Sequence, residues 1–118
     1  MTSTKDIAKD LVALCRQGKF DEAGEKYWAA DVASIEPGEA AITRGIEAAR
    51  AKGEAWTVAN DVHGFDVGDP YVNGEQFIVR FSIDQTVRAT GARMKLDEVG
   101  IYTLKNGKIA EERFFYAE

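Results

Sequence analysis

Lys95-Leu-Asp-Glu-Val-Gly-Ile-Tyr-Thr-Leu-Lys-Asn-Gly-Lys-Ile-Ala-Glu-Glu-Arg-Phe-Phe-Tyr116 is the stretch that decides the fold of this chain. It holds two runs of alternating character joined by Asn106-Gly107. That dipeptide suits a tight hairpin turn because both residues tolerate positive φ. With a side-chain period of two, Glu98, Gly100, Tyr102 and Leu104 share one face of the first strand, and Glu112, Phe114 and Tyr116 share one face of the second. A filled core would not accept these carboxylates among aromatic rings. The pattern therefore points to a cavity. Asp97 and Glu111 fall on the opposite face, where they read as surface charges.

Upstream of this hairpin the strand pattern continues. Glu75 to Arg88 alternates, with Phe77, Val79, Phe81 and Ile83 on one face and Gln76, Ile78, Arg80, Ser82 and Asp84 on the other. A turn near Thr90-Gly91 leads into a strand over 93–104. Asn73-Gly74 reads as another hairpin turn, and Gly64, Gly68 and Asp69-Pro70 break the run from Val62 to Val72. The first half is mostly helical. Residues 4–17 form an amphipathic helix with Ser3 or Thr4 as cap, a stripe of Ile7, Leu11, Leu14 and Cys15, and Gly18 as its stop. Asp21 is expected to cap a second helix to about Trp28, and Val32 to Glu36 a short strand ended by Pro37-Gly38. A third helix is expected over about 45–57, with Ile46, Ala49, Gly53 and Trp56 on one stripe and Gly53 marking a close approach to the sheet. Helices followed by strands give an α+β class: a curved antiparallel sheet wrapped around three N-terminal helices, forming a cone with an apolar pocket.

The bulk properties narrow the function. The 118 residues suit one domain, 1–118, with a single core. A net charge of −5 and no basic run argue against nucleic acid or an anionic membrane as partner. No apolar run approaches the roughly 18 residues of a membrane span. The N-terminus lacks the apolar segment of a signal peptide, and the single Cys15 forms no internal disulfide, so a cytoplasmic location is expected. One His and one Cys make a zinc site improbable, and no phosphate loop or dinucleotide fingerprint is present, so no cofactor is expected.

The order of several motifs resembles the nuclear transport factor 2-like superfamily, in particular its SnoaL-like and ketosteroid-isomerase-like members. These motifs are Gly-Lys-Phe-Asp (18–21), Tyr-Trp-Ala-Ala-Asp-Val (27–32), Ile-Glu-Pro (35–37), Thr-Arg-Gly-Ile-Glu-Ala-Ala (43–49) and the closing run from Asn106 to Tyr116. The resemblance implies a cone-shaped α+β domain with a deep apolar pocket, a small apolar ligand, no cofactor, and pairing through the outer sheet face. It implies either a cofactor-free isomerase, cyclase or dehydratase with a glutamate base, or a non-catalytic binding or accessory domain. The fold alone does not choose between them.

The resemblance places Glu36, before Pro37, where ketosteroid isomerases carry their carboxylate base. The two donors of their oxyanion hole fall near Leu11 and Gly100, and neither can donate from its side chain. The acid of the SnoaL-type cyclases falls near Phe114, with Glu112 two residues away on the same face. The catalytic candidates are therefore Glu36, Glu98, Glu112 and His63. Each has a plainer alternative. Glu36 would be a solvated loop carboxylate, Glu98 and Glu112 would pair with Arg113, Arg93 or Lys95 or lie exposed near the rim, and His63 would bond backbone at a strand end. Trp28, Trp56, Phe77, Phe81, Tyr102, Phe114 and Tyr116 are expected to line the pocket, or else simply pack the core. Ile78, Arg80, Arg113 and Phe115 are expected on the outer face, at a homodimer interface.

Overall fold

A computed structural model describes residues 2–38 and 41–117. Helix α1 (Thr4–Arg16) starts at Ser3, whose side chain accepts a hydrogen bond from the Asp6 amide at 3.1 Å, and is stopped by Gly18 at a φ of 78°. Helix α2 (Phe20–Tyr27) begins two residues earlier than expected, with Lys19 and not Asp21 at the cap position. Asp21 and Glu22 lie in its first turn, where they complement the helix dipole, and no side chain caps it. Strand β1 (Trp28–Ile35) follows without a loop and is longer than the sequence suggested. A short strand β2 (Ile42–Arg44), not foreseen, folds back on it before helix α3 (Ile46–Ala59). Strands β3 (Asn60–Val67), β4 (Tyr71–Asn73), β5 (Gln76–Val87), β6 (Ala92–Lys105) and β7 (Lys108–Tyr116) complete the chain.

The seven strands make one curved, unclosed sheet in the order β2-β1-β7-β6-β5-β3, with β4 also on β5. The sheet is mixed rather than wholly antiparallel: β1 runs parallel to β7, with Ser34 opposite Glu112 and Ile35 opposite Arg113. A meander cannot produce that pairing. It requires the chain to return from the last hairpin to the strand that left the helices, a contact between segments roughly eighty residues apart.

The final hairpin has the expected turn, with a bulge at Ala110 between the Leu104–Ile109 and Thr103–Glu111 pairs that brings Glu112 opposite Tyr102. Lys105 pairs with Lys108, and Asn106 and Gly107 take φ of 54° and 76°. The other expected turn shifts by one residue. Asn73 pairs with Gln76, so Gly74-Glu75 is the loop, and Gly74 supplies the positive φ of 61°. Gly53 faces Asp21 on α2 at an ordinary 3.8 Å, so the close approach is to a neighbouring helix and not to the sheet.

The core lies between α1, α2 and the concave side of the sheet. Ile7, Leu11 and Cys15 of α1 meet Phe77, Val79 and Phe81 of β5, with Val32 and Ile109. Each fully buried aliphatic side chain contributes about 1.5–3 kcal/mol. The α1 and α2 end of the concave face is thus closed, whereas α3 buries only Ala49 fully. Under α3 the inward-facing side chains of Ile83, Leu96, Glu98, Phe114 and Tyr116 stay partly accessible.

Candidate functional site

The register of the last three strands brings the polar residues of the concave face together. Glu98 lies opposite Tyr116, Gly100 opposite Phe114, and Tyr102 opposite Glu112. The parallel pair then adds Ser34 beside Glu112, and Glu36 follows just past the end of β1. There the backbone amide of Glu36 donates to the Ala41 carbonyl at 2.9 Å, fixing the start of the turn. Helix α3 reaches across with Lys52.

Glu112 is almost fully buried yet fully served. Trp28 Nε1 donates to its Oε1 at 2.7 Å and Ser34 Oγ to its Oε2 at 2.6 Å. Glycine at position 24 makes the first of these possible. A Cβ there would come within 2.5 Å of the Trp28 ring, so only glycine lets the indole fold back over α2 and aim its N–H at the carboxylate. Lys52 Nζ donates to Ser34 Oγ at 2.5 Å, lies 3.5 Å from Glu36 Oε1, and sits 5.3 Å from the centre of the Phe114 ring. Ser34 thus accepts from the ammonium and donates to Glu112, linking one cation to one anion through a hydroxyl.

Glu36 and Glu98 are different. Glu36 Oε2 is buried with no hydrogen-bond partner, among the described residues, although Lys52 faces the other oxygen. Burial pushes its carboxyl above the usual range, while Lys52 and the Tyr116 hydroxyl pull it back. Glu98 makes no hydrogen bond or ion pair with the described residues. Burial first, then the negative charge of Glu36, raises its pKa to about 7; Lys52 opposes the shift and Glu112 adds to it. Near neutral pH Glu98 is therefore poised between acid and base, beside a carboxylate with an unused oxygen and a lysine. Such groups suit proton transfer to and from a bound molecule.

Tyr102 is buried, stacks on Phe77 at 4.8 Å, and meets Phe114 edge-on at 6.2 Å. Burial drives its phenol well above the ordinary value. The ring occupies the space a side chain on Gly100 would need: a Cβ there would lie 3.0 Å from Tyr102 Cε2 and 3.2 Å from Phe114 Cε1. A recess of about 400 Å³ opens past the end of β1, lined by Ile35, Glu36, Pro37, Gly38 and Ile42 with Arg113, Phe114 and Phe115 of β7; it takes in convex-face side chains, and Lys52, Glu98 and Glu112 do not line it.

Of the expected site residues, Glu36, Glu98 and Glu112 converge, with Trp28, Phe114 and Tyr116 around them. Trp56 is half-buried on α3. Phe77 and Phe81 lie in the closed core under the helices, so they support the site rather than line it. His63 is not brought to the cluster. A bulge in β3 turns it to the convex face, where it is exposed and its Nε2 lies 2.7 Å from Thr86 Oγ1. The alternative pairing of Glu98 and Glu112 with arginines is not seen. Arg113 faces Glu111, and Arg93 forms a two-point bond with Asp84. The sequence reading missed Lys52 and Ser34. Their signals were present but ambiguous, because a lysine in a helix and a serine in a short strand carry no spacing that points inward. Among the described residues no group of three or more His, Cys, Asp or Glu is placed to hold a metal ion, and no helix is long and apolar enough to cross a membrane.

The chain is similar to several known proteins. The SnoaL-like domain family model matches residues 1–116. A crystal structure from Mesorhizobium loti, named as a candidate SnoaL-like polyketide cyclase, is 51% identical, with a TM-score of 0.92 over 97% of this chain and 99% of that one. A nuclear transport factor 2-like protein from Burkholderia xenovorans is 22% identical, with a TM-score of 0.79 over 99% and 93% of the two chains. A Catenulispora acidiphila protein of ketosteroid-isomerase-like fold, solved with trimethylamine, is 14% identical, with a TM-score of 0.76 over 98% and 88%. The last two support the fold alone. Among curated proteins none matches this sequence.

Proposed function

The chain belongs to the SnoaL-like domain family, and from that premise we propose that it binds a small, largely apolar molecule under α3 and moves a proton on it without a cofactor. The reaction would be of the isomerase, cyclase or dehydratase type. Glu36 is the base and Glu98 the group that holds or donates a proton. The observation that carries this reading is the unused Glu36 Oε2 beside a Glu98 that titrates near neutrality, both among half-buried aromatic residues. Glu112 has a supporting role, because both its oxygens are already engaged. The 51% identical relative, named as a candidate cyclase, is consistent with this class of chemistry.

Replacing Glu36 by Gln tests the assignment. It keeps the shape of the side chain and removes its basicity. Turnover of whatever substrate is found should fall by about a hundredfold or more, with the thermal midpoint preserved. Unchanged turnover would remove Glu36 from the role.

One observation favours a second reading, a binding domain without chemistry. The two places where related isomerases carry oxyanion donors hold Leu11, in the core, and Gly100, whose space Tyr102 and Phe114 fill. We further infer that two copies pair through the convex face. Tyr71, Ile78, Phe115 and Ile42 are exposed there, and strand pairing sets Ile78, Ile101, Arg113 and Ile35 side by side in one row across it.

A further inference from the structure

We propose that Lys52 is the electrophile of this site: its ammonium holds the carbonyl oxygen of an enolisable substrate while Glu36 takes the adjacent α-proton. The proposal rests on the reading of the concave face as a small-molecule site and names its substrate class. Its basis is the state of the Lys52–Glu36 pair. An ammonium carries three donors. One goes to Ser34 Oγ, and Glu36 Oε1, at 3.5 Å, is beyond a good hydrogen bond. The Phe114 ring offers a π face and no lone pair. At least one N–H therefore remains available. On the other side of the same pair, Glu36 Oε2 is buried and, among the described residues, makes no well-formed hydrogen bond, the Tyr116 hydroxyl acting on this carboxylate from nearby.

A donor with an N–H to spare and a buried acceptor without a well-formed bond, side by side, complement a group in which an acidic C–H adjoins a C=O. The electron count is simple. The α C–H bond breaks and its proton goes to Glu36 Oε2. The bonding pair forms the C=C bond, and the C=O π pair moves onto oxygen, where Lys52 meets the new negative charge. Return of the proton to a different carbon isomerises the molecule; attack of the enolate carbon on a second carbonyl closes a ring, the π pair of that carbonyl moving to its oxygen, which takes the proton back from Glu36. Without Lys52 the anion would develop near the Glu112 carboxylate with no cation beside it, which Coulomb repulsion disfavours at low local dielectric. Ser34 and Glu112 fix where the ammonium sits. In this arrangement Lys52, from a helix, supplies what the side chains at positions 11 and 100 do not.

The test uses 4-nitrophenol as a stable mimic of the enolate and 4-nitroanisole as its non-ionising control, with the full chain at pH 6. The phenolate absorbs in the visible, so the ionised fraction of bound probe is read directly. Wild type is expected to raise the bound phenolate-to-phenol ratio over that of Lys52→Met by about ten- to hundredfold. Lys52→Arg should keep most of the effect, and nitroanisole should bind wild type and Lys52→Met alike. Melting curves identify any variant that fails to fold, and Lys52→Gln, which keeps a donor toward Ser34 without the charge, then carries the comparison with wild type through the lost ratio. If Lys52→Met binds the phenol and ionises it as wild type does, Lys52 is not the electrophile, and the site itself stands. If wild type binds neither probe at millimolar concentration, the small-molecule reading falls and this proposal falls with it.

Discussion

Ser34 lies opposite Glu112 across the parallel β1–β7 pair, and its hydroxyl donates to the buried carboxylate at 2.6 Å. This bond ties the first strand to the last and fixes the wall from which Glu36 emerges. Ser34→Ala leaves one oxygen of a buried carboxylate short of a donor and removes an acceptor from Lys52. The expected cost is about 1–3 kcal/mol, read as a lower urea midpoint with an unchanged slope. An unaltered midpoint would mean that water replaces the hydroxyl at no cost.

Glu98 predicts a pH dependence. Its folded pKa, about 7, lies above the ordinary 4.5, so the folded state holds this proton more tightly than the unfolded chain does. The contribution to stability is full below about pH 4.5 and is lost as pH rises to about 7. Glu36 is raised as well and acts in the same direction. The loss reaches at most about 3 kcal/mol for Glu98. In urea unfolding from pH 4 to 8, Glu98→Gln should gain on wild type steadily across that window. A difference independent of pH would show that Glu98 is solvated and ordinary.

Two glycines hold the aromatic residues in place. At Gly24 an alanine Cβ would come within 2.5 Å of the Trp28 ring, so the ring must move from the position in which Nε1 reaches Glu112. Gly24→Ala should therefore cost about 1–3 kcal/mol and red-shift the tryptophan emission as the indole leaves its partner. At Gly100 the contacts are milder, 3.0 Å to a Tyr102 ring that is itself stacked on Phe77, so Gly100→Ala should destabilise by less. A neutral Gly24→Ala would contradict the role given to Trp28.

The convex face predicts the assembly. Wild type should run in light scattering at twice the 13.0 kDa chain mass, and Phe115→Arg, or Ile78→Glu, should run at the monomer mass. Both side chains are exposed in the single chain, so neither change should harm the fold. A monomeric wild type would remove the interface.

These residues also show what could be read beforehand. Asn106-Gly107 placed the last turn, and a period of two within each strand grouped Glu98 with Gly100 and Tyr102, and Glu112 with Phe114 and Tyr116. That the two groups share one face depends on a bulge at Ala110, between the Leu104–Ile109 and Thr103–Glu111 pairs, which no residue pattern signalled. The parallel contact of β1 with β7 was not legible, since nothing in either segment encodes a partner so distant in sequence. Ser34 and Lys52 were hidden with it. His63 misled because it was singled out by its chemistry and not by a face: it sits at the β3 bulge on the convex side, beside Thr86. Phe77 and Phe81 shared the inward face as expected, and α1, packed over them, makes them core instead of lining.

The most direct test of the account is a crystal structure of the wild-type protein grown with 4-nitrophenol. The account predicts the probe under α3, its ring against Phe114 and its oxygen within hydrogen-bond reach of Lys52 Nζ, near Glu36 and Glu98. A concave face closed by Trp56 and Phe114 over the carboxylates, with the probe bound only elsewhere, would contradict it.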